Sequence, residues 1–174
     1  MAIRLNLGCG NMYLEGYVNV DKYNLKADIK ADIVKLPFDN DIAESVLMSH
    51  VIEHIPWKKH VDVFEEVYRV IQQDGVLQLA YPEFSACAEM FITNKDGKKW
   101  SWWVQTLYGH QMAEGQAHLA PADTEHFIDM LSQIGFYNFN HELFGVDSVL
   151  TCKKGSSMPW FDKEVSINVV ANRL

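Results

Sequence analysis

Residues 5–21 read LNLGCGNMYLEGYVNVD, and the parsing of this stretch decides the fold. An apolar run, Leu5 to Leu7, meets Gly8 and Gly10, and a second run from Tyr17 stops on a carboxylate, Asp21. Strand, glycine turn, strand and acid is the order in which a doubly wound sheet builds a nucleoside site at the carboxyl ends of its strands. Two glycines let the main chain turn sharply and approach a ligand with no Cβ in the way. The dinucleotide version carries a third glycine, and its acid lies about 20 residues on. Here position 13 is Tyr, and Asp21 lies 13 positions beyond Gly8 (21 − 8). That spacing predicts a shortened first helix, about one turn around Asn11 to Leu14. So short a helix is a poor cradle for a pyrophosphate, which needs a proper helix N-terminus. It still suits a nucleoside without phosphate, whose ribose hydroxyls a carboxylate can accept.

The rest of the chain alternates strands and helices. DIKADIV holds a short third strand, the LPFDND turn follows, and AESVLMSH is a fourth strand ending at Ser49 and His50. In KKHVDVFEEVYRVIQQDG the apolar residues Val61, Phe64, Val67, Val70 and Ile71 describe one helical face, with Gly75 placed as a C-terminal cap. VLQLAYP is a fifth strand. DTEHFIDMLSQIG is a helix with Asp123 or Thr124 as N-cap, and FYNFNHELF and VSINVVANRL are further strands around a KKGSSMPW loop. The pattern is a single α/β domain over residues 1–174 with a mostly parallel, Rossmann-like sheet.

Residues 83–122 break this rhythm with Trp100, Trp102, Trp103, Tyr108, His110 and His118. They read as a cap-like insertion after the fifth strand, mobile about Gly109 and Gly115. Trp100, Trp103 and Leu107 share a helical spacing suited to packing on the body. Trp102, Tyr108, His110 and His118 suit a substrate lid, with His110 and His118 as candidate catalytic bases.

S-adenosylmethionine matches the phosphate-free nucleoside site, having adenine, ribose and an amino-acid tail. LNLGCG, VNVD, ADIVKLPF and SVLMSHVIEHI, in that order and spacing, resemble the class I S-adenosylmethionine-dependent methyltransferases, and most of all the small bacterial and phage-type branch. The resemblance is close over residues 3–82 and looser through LYGHQ, HFIDMLSQIGF and the last strand. It implies that Gly8, Cys9 and Gly10 lie under the methionine and ribose portions and that Asp21 binds the ribose hydroxyls. It further implies that Asp32 accepts the adenine amino group, with Asp28 as the alternative, and that the Ile33 amide faces the ring. Ser49 and His50 would line the methionine end. Phe38 of LPF is a core residue, not a ligand.

HVIEH, residues 50–54, also matches the H-x-x-E-H pattern of inverted zinc peptidases, with Glu65 or Glu66 as a third ligand. That chemistry needs a continuous helix, whereas this stretch follows a strand and meets Pro56. The zinc reading also leaves Gly8, Gly10, Asp21 and Asp32 without a role. The preferred reading has His50 at the donor, Glu53 and His54 as local hydrogen-bonding partners, and no metal. A nicotinamide oxidoreductase is disfavoured by the absent third glycine. An S-adenosylmethionine-binding protein without transferase activity shares the donor site and differs only in turnover.

Composition narrows the partners. A net charge of −8 over 174 residues argues against nucleic acid, which selects a basic footprint. The Lys95, Lys98 and Lys99 cluster reads as a solvated loop. No apolar stretch reaches membrane-span length, and no cleavable leader precedes the first strand. Cys9, Cys87 and Cys152 are dispersed and odd in number, as in a reduced, cytoplasmic protein. The expectation is a cytoplasmic methyltransferase acting on a small-molecule acceptor.

Overall fold

The computed structural model describes residues 2–93, 100–141 and 166–173. Seven strands form one sheet in the order β3-β2-β1-β4-β5-β7-β6. They are β1 (Ile3–Leu7), β2 (Val18–Asp21), β3 (Ile29–Lys30), β4 (Ala43–Ser49), β5 (Ile71–Pro82), β6 (Phe136–His141) and β7 (Ser166–Arg173). The first five run parallel to one another. β7 runs antiparallel between β5 and β6. Strand order reverses between β1 and β4, which is where a doubly wound sheet opens a crevice at its carboxyl edge.

The expected α/β layering holds. β1, β2 and β4 carry runs of buried side chains because helices cover a parallel sheet. Helix α1 (His60–Val70) turns Val63, Phe64, Val67 and Val70 into the core. Helix α4 (Thr124–Ile134) begins at the N-cap Asp123, whose carboxylate accepts from the His126 N–H, and ends at Gly135. Phe127 of α4 meets Phe64, Tyr81 and His60 edge-on, with ring centroids 5.6, 5.0 and 5.6 Å away. Each such contact contributes about 0.5–1.5 kcal/mol beyond burial. Phe38 packs against this core, as expected.

Three expectations give way. No helix joins β1 to β2; residues 8–17 are turns and irregular chain. Side chains do the helix's work there. Buried Asn6 donates to the Met12 carbonyl and to Asn19 Oδ1, and Asn19 holds Leu14 from both sides. Second, α1 stops at Val70, and IQQDG belongs to β5. The β4–β5 register jumps from Ala43↔Ile71 to Ser45↔Val76, so residues 72–75 bulge out. Gly75 is needed because a Cβ there would lie 2.6 Å from the Ile71 side chain and 3.1 Å from the Ala43 carbonyl. It caps no helix. Third, Val61 faces solvent, and Val63 takes its place in the core.

Beyond β5 come α2 (Phe84–Thr93) and α3 (Trp100–Tyr108). Trp103 is buried, but Trp100 is exposed rather than packed. The Trp102 side chain, the Lys95–Lys99 cluster, Cys152 and the KKGSSMPW loop lie outside the described residues.

Candidate functional site

The carboxyl edge of the sheet collects the sequence-expected donor residues from four successive parallel strands. After β1 the main chain folds back over β2, the Gly8 and Cys9 N–H groups both donating to the Val20 carbonyl. Gly8 has φ +67° and lies against Val51, where a Cβ would sit 2.6 Å from a Val51 methyl. Gly10 has φ +49°, and a Cβ built on it meets no atom within 4 Å. The bare main chain of Gly10 thus borders open space, as a ligand-bearing turn requires. Cys9 is buried, and burial pushes its thiol up to about 11, so it is a filler and not a nucleophile.

Asp21 ends β2 as a buried acceptor. Its Oδ2 takes the Gly10 N–H at 2.8 Å, and its Oδ1 takes the N–H groups of Tyr23 and Asn24, each at 2.7 Å. Asn24 in turn donates through Nδ2 to the Gly10 carbonyl. A carboxylate offers about four acceptor positions, so three are occupied by the loop and one is left for a ligand.

Asp28 and Asp32 differ in their contacts. Asp28 accepts from the Asn19 main-chain N–H and side chain and from the Tyr13 hydroxyl. These hydrogen bonds, the Asn19 N–H foremost, hold its carboxyl below the usual range. It braces the β1–β2 connection. Asp32 lies just beyond β3 and is half-exposed, paired with Lys22 at 3.0 Å. Burial alone would raise its carboxyl, but Lys22 and the Val34 N–H outweigh that and lower it. Ile33 beside it is buried.

Ser49 ends β4, and His50 follows it. His50 adopts φ +53° and donates its main-chain N–H to the Ala80 carbonyl. Its Nδ1 lies 3.2 Å from Glu53 Oε1. The HVIEH stretch is not one helix: a 3₁₀ turn covers only Ile52–His54, and Pro56 follows. His50 and His54 therefore share no helical face, as the peptidase chemistry would need. Glu66, one of its proposed third ligands, is instead bonded to the Leu36 N–H and to Arg69.

Sequence reading undervalued Glu53. It is 2% exposed, and although desolvation raises its carboxyl, His50, with help from His54 and His118, lowers it on balance. Its main-chain carbonyl accepts from the Leu119 and Ala120 N–H groups at 2.7 and 3.2 Å. His54 Nδ1 meets the Ala117 carbonyl at 3.0 Å, and the His54 and His118 rings are edge-on at 4.8 Å. The loop carrying His110 and His118 is thereby fastened to the turn after β4. Its other flank reaches the donor side, since a Cβ on Gly115 would strike the Tyr23 ring at 2.6 Å. His118 adjoins a cavity of about 20 Å³ lined also by Glu53, Phe84, Cys87 and Thr106. His110 is half-buried nearby in sequence, and Tyr108 is exposed. Burial of Cys87 pushes its thiol up to about 12.

Comparison with known proteins bears on this edge. The family described as "Methyltransferase domain" matches residues 15–79. No curated protein sequence matches the chain. A solved S-adenosylmethionine-dependent methyltransferase from Archaeoglobus fulgidus is 14% identical, with TM-score 0.61, covering 99% of this chain and 86% of its own. One from Thermotoga maritima, described as a possible histamine N-methyltransferase, is 16% identical with TM-score 0.61, covering 99% and 82%. Human N-acetylserotonin methyltransferase, solved with S-adenosylmethionine, is 13% identical with TM-score 0.54, covering 98% and 47%.

Proposed function

We propose that this chain is a class I S-adenosylmethionine-dependent methyltransferase, as the family match over residues 15–79 and the shared fold support, and that its methyl acceptor is a small molecule received beneath the 109–121 loop. S-adenosylmethionine supplies an electrophilic methyl on a sulfonium. The bare Gly10 turn and the one uncommitted acceptor position of Asp21 fit its ribose portion. In this reading Gly8, Cys9 and Gly10 form the floor, Asp32 and Ile33 meet the adenine, and Ser49 and His50 lie toward the methionine end.

One observation carries the acceptor assignment. The loop runs from Tyr23 on the donor side to the Glu53 carbonyl at the turn after β4, closing over the sheet edge. Such a cover orients a small acceptor and excludes water, which is most of what an in-line methyl displacement asks of a protein. The 83–122 segment acts as the cap of a single domain. For an acceptor that must lose a proton, His110 and His118 are the groups on the covering loop able to take it. The free thiols Cys9 and Cys87 suit a cytoplasmic setting, and among the described residues no helix is long and apolar enough to cross a membrane.

The test is methyl transfer from labelled S-adenosylmethionine into a fractionated cell extract. Label should appear in the small-molecule fraction; label confined to protein or nucleic acid overturns the acceptor class. Calorimetry against NAD checks the donor, which should bind where NAD does not.

A further inference from the structure

Beside the methyl-donor edge, Glu53, His54 and His118 converge from two segments of chain. We propose that these three side chains bind a divalent transition-metal ion of the zinc type, one ligand atom from each. Their ligand atoms all lie within 4.8 Å of one another. Tetrahedral zinc with bonds near 2.0–2.1 Å holds its ligands roughly 3.4 Å apart, so small side-chain rotations complete the site.

The Glu53 carboxylate supplies an independent reason. Oε1 is held by His50, but Oε2 is fully buried with no hydrogen-bond partner among the described residues. A buried carboxylate oxygen without a donor is costly, and a cation between it and the two imidazoles removes the cost. The supporting shell is in place. The Ala117 carbonyl accepts from His54 Nδ1, which leaves the Nε2 lone pair free to coordinate. The His50 contact orients Glu53 in the same manner. The adjoining cavity of about 20 Å³ has room for a water as fourth ligand.

This ligand set differs from that of an H-x-x-E-H peptidase, because His50 orients a ligand instead of serving as one and His118 comes from the covering loop. The ion would clip that loop to the turn after β4. With His118 coordinating, proton acceptance from an acceptor falls to His110. The site goes beyond the proposed function and stands or falls without it.

Chelator-treated protein titrated with Co²⁺ gives the readout, through visible d–d absorption, with Zn²⁺ competition by calorimetry. One ion per chain should bind, with the spectrum of a four-coordinate nitrogen and oxygen site. His118→Gln and Glu53→Gln should each weaken binding at least a hundred-fold, and circular dichroism would confirm that both fold. His54→Gln provides a third variant should Glu53→Gln fail to fold. No saturable binding to the parent, or equal affinity in His118→Gln, overturns the site. S-adenosylmethionine affinity measured on the same samples separates this outcome from failure of the donor assignment.

Discussion

Gly10 and Asp21 are joined by a 2.8 Å hydrogen bond from the glycine main-chain N–H to Oδ2 of the carboxylate. One acid therefore sets the shape of the turn and, in the proposed reading, presents its remaining acceptor position to the ligand. Asp21→Ala removes both functions. We expect S-adenosylmethionine affinity to fall ten- to a hundred-fold, matching about 1.5–3 kcal/mol for a hydrogen bond to a charged group. The melting temperature should fall too, since three N–H groups lose their acceptor. Asp21→Asn should restore part of the stability and less of the affinity. Parent-like calorimetric affinity in a folded Asp21→Ala protein would remove Asp21 from the donor site.

The contact between Gly115 and Tyr23 is open to a steric test. Gly115 has φ +83°, so Gly115→Val is strained as well as driven into the ring. The loop should lift from the donor edge, and hydrogen exchange across 109–121 should accelerate. Turnover should drop with donor affinity changed far less. Unaltered exchange in this variant would show that the loop does not depend on that contact.

Thr124 and Glu83 probe the join between α4 and the end of β5. The buried Glu83 carboxylate accepts from the Thr124 hydroxyl at 2.6 Å and its N–H at 3.1 Å, and Tyr81 meets the same hydroxyl at 3.0 Å. Thr124→Val strips one partner from a buried acid and from a buried phenol. The expected loss is about 2 kcal/mol, or roughly 4–8 °C at this chain length. Calorimetric melting decides it, and a change below one degree would contradict the assignment.

Acid should loosen the LPF turn. Glu66 bridges Arg69 and the Leu36 N–H, while Arg69 reaches the Phe38 carbonyl. Its hydrogen bonds to Arg69 hold the Glu66 carboxyl below its usual range. A lowered folded value means the contribution is complete above the unfolded value, about 4.3, and is lost as pH falls through the folded one. The stability gap between the parent and Glu66→Gln should therefore be widest near neutral pH and shrink below about pH 4. Denaturation midpoints across that range measure it; a gap independent of pH would rule the bridge out.

The strand-turn-strand frame around Gly8, Gly10 and Asp21 was readable because its signals are local. Gly8, Gly10 and Asp21 lie in one short stretch of chain, and each strand end lies on the same edge by topology alone. The β1–β2 connection was misjudged because Asn6, an amide inside an apolar strand, is a helix substitute only once Asn19 meets it and Asp28 in turn holds Asn19. At 71–75 helical periodicity ran on past the true boundary; the β4–β5 register, invisible in one strand alone, decided otherwise. The cluster at Glu53 was beyond reach for a similar reason. His54 and the loop that meets it are separated by 63 positions, and no spacing rule spans a loop closure of that length.

The place of β7 has a consequence for synthesis. Ser166–Arg173 is the last strand in sequence, yet it lies inside the sheet, and β6 touches the parallel strands only through it. Until those residues leave the ribosome, β5 presents a bare edge of unpaired amides and carbonyls. A nascent chain stalled before residue 166 would have the five parallel strands in place and yet carry an unpaired border. Arrival of β7, rather than formation of the turn after β1, is thus the step that covers the β5 edge.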